Sequence, residues 1–533
     1  MKSIYYNGKI YTGQLPLAEA FVVEGDKFIF AGSNEDALAL FNEGDEKIEL
    51  GGNFVCAGFN DSHMHLLSFG QALNNAALHE HTGSLKDMVE YLKAFCKENS
   101  QRPWIVGRGW NQDYFEDEKR MPTRYDLDKA SKDQPICAVR ACGHALAVNS
   151  KALELLNFGD EIPQIEGGEI GMENGEPNGL FFDNALELVY NAIPAPSKEE
   201  LKNMIRSACR ALNGFGVTSS QTDDYCVFSN VPWQRIHEAY KELEQAGELT
   251  VRVYEQANFT SLTALKEYVE SGNKTGTGSE LYKMGPLKML GDGALGPRTA
   301  FLSESYADAE GSGIPVFSQQ TFDEMIGYAN GMGMQCAIHA IGDACLDRVL
   351  SAIEKALKEN PREDHRHGIV HCQITRPEQL EKIAELKLHV YAQSIFLDYD
   401  IQIIPKRISE KLAQSSYNWK TLMNKGVTVS NGTDCPVELP FALGGIQCAV
   451  TRSDLKGSKE VYLPQEAFTV QEALDSFTSV GAYSSFEENV KGKIQAGMLA
   501  DFVVLGENPF ECNKDKIKDI PVISTYLGGK KVH

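Results

Sequence analysis

Gly58-Phe59-Asn60-Asp61-Ser62-His63-Met64-His65 is the stretch on which the fold turns. It continues an apolar run that begins at Phe54, which reads as a strand over Phe54–Phe59 closed by the His63-Met64-His65 triplet. Alternate residues of an extended chain point to one side, so both imidazoles face a common point, with Asp61 just before them. Outward from this stretch the chain repeats strand, loop and helix to about residue 490. Further strand candidates are Gly216–Ser220, Val251–Tyr254, Leu287–Leu290, Gln335–His339, Gly368–His371, His389–Ala392 and Val427–Ser430. Between them lie helical stretches with apolar residues three and four apart, as from Leu346 to Ala356. Strands alternating with helices imply parallel pairing, and about eight of them suit a closed (β/α)8 TIM barrel.

The two ends of the chain differ from this middle. Ile4-Tyr5-Tyr6-Asn7-Gly8-Lys9-Ile10-Tyr11 has the Asn-Gly signature of a hairpin, and a second turn falls at Gly25-Asp26. Asp501–Leu505 and Val522–Lys530 are β-rich in the same way. The fold expected is therefore α/β, a TIM barrel over residues 56–489, with a small β-sandwich domain built from 1–55 and 490–533. The barrel rhythm is broken after its first strand by an insertion over about residues 75–205. Within it Trp104–Trp110 and Ile136–Arg140 read as strands and the Gly- and Glu-rich 166–179 as a loop. Insertions of this kind often shape access to a barrel's mouth.

Composition narrows the class. The chain has 533 residues, 42% of them hydrophobic and 23% charged, as in a globular enzyme. Its formal charge of −23 and its lack of a basic cluster argue against a nucleic-acid partner. No run of 18 apolar residues occurs, and the N-terminus has no apolar signal core, so neither a membrane span nor export is expected. Twelve scattered cysteines without a Cys-x-x-Cys pair read as reduced thiols of a cytoplasmic protein.

The ligand types fall in barrel order. After His63 and His65 come Lys288, His339, His371 and Asp434, each at the apparent C-terminal end of its own strand, where TIM-barrel active sites lie. Four histidines with a carboxylate suit a divalent ion such as zinc. Singly each has a plainer explanation: a strand-end histidine is usually a hydrogen-bonded core residue, and Asp434 in Asn431-Gly432-Thr433-Asp434-Cys435-Pro436 could be a turn former. Their joint placement favours the metal site.

These motifs resemble the amidohydrolase superfamily. More narrowly they resemble the branch that includes N-substituted formamide deformylases. The likeness extends through Gly107–Asn111, Pro122–Asp128, Gly143–Ser150, Asp292–Ala300, His339–Asp343 and Gly492–Asp501, nearly the whole chain. The resemblance implies that His63, His65 and Asp434 hold a more buried metal and His339 and His371 a more exposed one. It also implies a carboxylated Lys288 bridging two divalent ions, zinc foremost, and Asp434 as the proton carrier in hydrolysis of a C–N bond in a small molecule. Substrate contacts are expected from His144, Arg298, Trp110 and Asp292, with Arg298 equally able to pair with Asp292 or Glu304. Many relatives carry an acidic residue where Cys142 stands. His367 is expected to support the ligands from deeper in the barrel, and Asp343 to orient His339 or cap the next helix. A homodimer accords with the family. Two alternatives stand beside this reading. One is deamination of a heterocycle, which the absence of a His-x-x-Glu element at His339–Asp343 disfavours; the other is a catalytically weak metal-binding regulatory protein.

Overall fold

The computed structural model describes residues 1–142, 144–158, 162–165, 167–458 and 460–533. The chain divides into two compact units, residues 1–68 with 208–533, and residues 69–207. The first unit contains an eight-stranded sheet whose spatial order follows the chain. Its strands are β1 (Phe59–Met64), β2 (Val217–Thr222), β3 (Arg252–Asn258) and β4 (Tyr282–Leu290). They continue as β5 (Cys336–Ala340), β6 (Gly368–His371), β7 (His389–Ala392) and β8 (Thr428–Asn431). Every neighbouring pair is parallel, as crossover helices require. The ring closes beyond β8: the Asp434 amide donates to the His63 carbonyl (2.9 Å), and the Thr433 amide to Asp61 Oδ1 (3.0 Å).

The helices are amphipathic for the expected reason. Asp343–Glu359 buries Leu346, Val349, Leu350, Ile353 and Ala356, spaced three and four apart along one face. Gln319–Gly331 starts where the Ser318 side chain accepts from the Thr321 amide, filling one of the bonds a helix start leaves open. Register along the barrel brings the strand ends level: Lys288 lies beside Ala337, Leu290 beside His339 and Ala340 beside His371.

The ends of the chain pair as anticipated, but in two sheets. One holds Lys2–Tyr6, Ala20–Glu24, Lys27–Gly32 and Glu46–Glu49; the other Lys9–Ile10, Phe54–Ala57, Phe502–Leu505, Val522–Leu527 and Lys530–Lys531. One apolar cluster draws on both, with Tyr5, Phe21, Phe28, Phe502 and Val504 buried together. The Gly25-Asp26 turn joins an antiparallel hairpin. The Asn7-Gly8 turn does not: Asn7 takes φ 55°, and the strands on either side enter different sheets. Phe54–Ala57 likewise pairs with Phe502–Leu505, so the first barrel strand is the segment after it, Phe59–Met64.

The second unit has a six-stranded sheet of its own, including Ile105–Trp110 and Ile136–Arg140. Residue 166 lies outside the described residues. Over the rest of 166–179 the expected loop is a hairpin, Gly168–Glu173 with Glu176–Asp183, turned at Gly175 (φ 85°). Glycine at the turn and Ile170 and Phe181 on the strands were the local signals for it. Among the described residues no helix is long and apolar enough to cross a membrane.

Candidate metal centre

The strand ends of the barrel bring the sequence-predicted ligands together. One ligand-type atom from each of His63, His371 and Asp434 falls within 4.8 Å of the others, all three residues being buried. His65 Nε2 stands 2.9 Å and His63 Nε2 3.3 Å from Asp434 Oδ1. The rings of His339 and His371 pack edge to face at 4.4 Å, and those of His63 and His371 at 5.8 Å. Lys288 is fully buried, with Nζ 3.1 Å from His63 Nε2. Two of these residues hold left-handed backbone, His371 at φ 76° and Asp434 at φ 56°. Non-glycine residues adopt that region at a cost, and such strain clusters at functional sites.

Each histidine has one ring nitrogen occupied, which fixes the other. His63 Nδ1 lies 2.8 Å from Gln256 Oε1, and the Gln256 amide group donates to the Ser62 carbonyl (3.1 Å). His371 Nδ1 lies 2.7 Å from Gln393 Oε1, and Gln393 donates to the Tyr391 carbonyl (3.0 Å). With each amide NH2 spent on a carbonyl, its oxygen must accept, so Nδ1 carries the proton and Nε2 presents a lone pair. His65 Nδ1 is in close contact with Asp223 Oδ1. His339 Nε2 faces the Gly293 carbonyl (3.1 Å) and Asp292 Oδ1 (3.2 Å), leaving Nδ1 to bind. This pattern, a histidine whose outer nitrogen is held by an oxygen acceptor, is how metal-ligating histidines are oriented.

The charges fit a cation. Burial works against charge on His65, but Asp223 and Asp434 outweigh it and raise its pKa. Burial likewise opposes charge on Asp434, yet His63 and His65 hold its carboxyl well below the usual range. Burial, with His339 beside it, keeps His371 neutral, the form that can ligate. Oδ1 of Asp434 and Oδ1 of Asp223 are buried within ion-pair reach of His65, but among the described residues neither has a partner in hydrogen-bond geometry. Buried carboxylate oxygens are costly unless something positive faces them. Inward-facing imidazole nitrogens with lone pairs, carboxylate oxygens and one lysine form a donor set that suits divalent ions.

Several expected site residues have other occupations. Asp292 is not free for substrate: its oxygens accept from the amides of Phe301 (2.8 Å), Gly342 (2.8 Å) and Ile341 (3.1 Å). It, and not Asp343, backs His339; Asp343 accepts from the Ser303 amide (2.9 Å), and Gly342 occupies the helix cap. Trp110 is fully buried in the core of the second unit, and its indole N–H donates to the Ala138 carbonyl (2.8 Å), so nothing of it remains for a ligand. Arg298 pairs with neither Asp292 nor Glu304 but doubly with Asp308 (3.0 and 2.7 Å), which Arg407 also meets. His367 touches no ligand; it accepts from the Cys336 amide (3.0 Å) and faces Asn330 Oδ1 (3.0 Å). His144 and Cys142 are exposed on the second unit, where His144 pairs with Asp183 (3.1 Å); Gly143 between them lies outside the described residues. Asp223, Gln256 and Gln393 are the residues that sequence reasoning passed over. Position at or just past a strand end was the signal for Asp223 and Gln393; Gln256, inside β3, gave none.

Comparison with known proteins agrees with this geometry. Residues 46–533 match the model of the amidohydrolase family. The whole chain (100%) is 32% identical to "Putative amidohydrolase YtcJ" of Bacillus subtilis (strain 168), covering 99% of that protein. It is 24% identical to the N-substituted formamide deformylase of Arthrobacter pascens, over 96% of this chain and 94% of that one. Among solved structures it is similar to an uncharacterized metal-dependent hydrolase from Pyrococcus furiosus, with TM-score 0.80 and 29% identity, over 96% of this chain and 100% of that one.

Proposed function

The chain belongs to the amidohydrolase family, and on that premise we propose that it hydrolyses the C–N bond of a small N-acyl or N-formyl amine, using two divalent metal ions. The observation that carries the reading is the convergence of His63, His371 and Asp434, with each of the four histidines fixed through its outer nitrogen. The likeness to a formamide deformylase supports the choice of bond.

In this reading His63, His65 and Asp434 would hold one ion and His339 and His371 the other, with a carboxylated Lys288 as their shared ligand. Carboxylation would replace a buried cation by an anionic oxygen donor, which accounts for a lysine with no exposure in the middle of the site. Zinc is the ion this nitrogen-and-oxygen set favours. When bound, the ions supply Lewis acidity that polarises the scissile carbonyl and acidifies the attacking water. The chain does the rest. Asp434, kept ionised by the imidazoles beside it, takes a proton from the attacking water. It then delivers that proton to the departing amine nitrogen, which would otherwise leave as a poor anion.

Elemental analysis of the purified protein and of Lys288→Ala tests the reading. About two metals per chain in the parent, and fewer in the variant, is the expected result. Equal metal in both would remove Lys288 from the ligand set, and none in the parent after reconstitution would overturn the whole proposal.

A further inference from the structure

Two adjacent carboxylates follow β2, and they serve different ends. Asp224 holds the fold: its oxygens accept from the Leu67 amide (2.9 Å), the Thr222 hydroxyl (2.8 Å) and the Tyr240 hydroxyl (2.5 Å). Among the described residues Asp223 receives no such backbone bond. It is 1% exposed, and its side-chain contacts are His65 Nδ1 on Oδ1, with Lys288 Nζ (3.0 Å) and Asn258 Nδ2 (3.2 Å) on Oδ2. A buried carboxylate costs several kcal/mol unless it is well paired, so one aimed at two proposed ligand side chains calls for a reason.

We infer that Asp223 is a positioning residue that ties His65 to Lys288, fixing the imidazole and the bridging nitrogen in one geometry. Oδ1 lies in close ion-pair contact with His65 Nδ1, and the ring's Nε2 faces Asp434, 2.9 Å away. Oδ2 governs the lysine. The inference rests on the carboxylated-lysine reading, and the chemistry at Nζ shows why an acceptor is needed there. The neutral amine's lone pair attacks the carbon of CO2, one C=O electron pair moves onto oxygen, and nitrogen loses a proton to solvent. The carbamate nitrogen keeps a single hydrogen. Asp223 Oδ2, 3.0 Å from that nitrogen, is placed to accept it, which sets the plane in which the two carbamate oxygens lie. Asn258 gives its amide N–H to the same Asp223 oxygen, and His63 Nε2 is the lone pair reserved for metal.

The role is selective among the outer partners. Gln256 and Gln393 each hold one imidazole and spend their remaining group on a backbone carbonyl, whereas Asp223 alone of these three connects two ligands. Asparagine at 223 could accept from one neighbour but would present its NH2 to the other.

The test uses Asp223→Asn and Asp223→Ala in the full chain, loaded with zinc and with 13C-labelled bicarbonate as the CO2 source. Retention of zinc against graded chelator and the 13C carbamate resonance are read alongside the melting temperature. Both variants should release zinc at about 10- to 100-fold lower chelator strength and lose most of the carbamate signal. Formate added to Asp223→Ala should restore part of each. Should Asp223→Asn not fold, the alanine variant with and without formate carries the test. Chelator resistance and a carbamate signal equal to the parent's in a folded variant would overturn the role of Asp223 alone. A parent chain showing neither zinc nor carbamate would overturn the two-metal reading and this inference with it.

Discussion

Gly432→Ala should dismantle the proposed metal centre without replacing a ligand. A methyl on Gly432 would lie 2.5 Å from the His63 amide nitrogen, 2.7 Å from the His63 carbonyl oxygen and 2.7 Å from Asp61 Oδ1. These are about 1 Å inside an ordinary contact, and two of the three are backbone atoms of β1 that cannot swing aside. The 432–434 segment must therefore back away from β1. It is held there by the Thr433 amide on Asp61 (3.0 Å), the Asp434 amide on the His63 carbonyl (2.9 Å) and the Gly432 amide on the Ala392 carbonyl (2.9 Å). Overpacking of this kind costs about 1–3 kcal/mol, and losing two of the bonds adds about 1 kcal/mol each. The total expected is about 3–5 kcal/mol. A displacement of Asp434 near 1 Å would further cost about 100-fold in turnover. Urea unfolding and metal content measure the first effect, and hydrolysis of a formamide or acyl-amine panel the second. Gly327→Ala is the control: a methyl there meets nothing within 4 Å in the helix Gln319–Gly331, so it should stabilise by about 0.5–1 kcal/mol. A Gly432→Ala protein that unfolds at the parent's urea concentration and keeps its metals would show that the seam does not hold the site.

Asp434→Asn should abolish turnover while most of the metal and the melting temperature are kept; activity within tenfold of the parent would remove it as the proton carrier. His389 supplies a pH signature away from the metal. Burial and the nearby Arg366 pull its pKa down to about 3, between hydrogen bonds to Thr428 and Ser430. Its unfolded value is about 6.5, so between about pH 6.5 and 3 the unfolded chain binds the extra proton. Stability is therefore lost as pH falls through that window, by up to about 1.4 kcal/mol per pH unit from this group. His389→Gln should flatten the slope of urea midpoints between pH 7 and 4, and an unchanged slope would contradict the assignment.

The proposed ligands stood out in the sequence because their residue types are rare at strand ends and recur in chain order. His63, His65, Lys288, His339, His371 and Asp434 needed only the alternation of strand and helix to be placed. What supports them was not legible. Asp223 gains its meaning from His65 and Lys288, which are 158 and 65 positions away in the chain, and nothing in Thr222-Asp223-Asp224 distinguishes the two acids. Gln256 has no distinguishing neighbour in β3. Trp110 and Asp292 show the converse error. Their motifs suggested substrate contact, but burial in a core and a set of backbone amides account for both. Turn chemistry read the Gly25-Asp26 hairpin correctly and the Asn7-Gly8 one wrongly, since a local turn does not say which sheet receives the next strand.

The seam at Thr433 and Asp61 joins residues 372 positions apart. During synthesis, β1 therefore leaves the ribosome long before the segment that completes it. Every shortened product ending before Asp434 lacks the residue proposed as both proton carrier and metal ligand. Under the proposed mechanism, barrel closure and completion of the site are the same late event. In the proposed mechanism, a chain that has made only His63 and His65 still lacks the group that moves the proton until the far end of the barrel is in place.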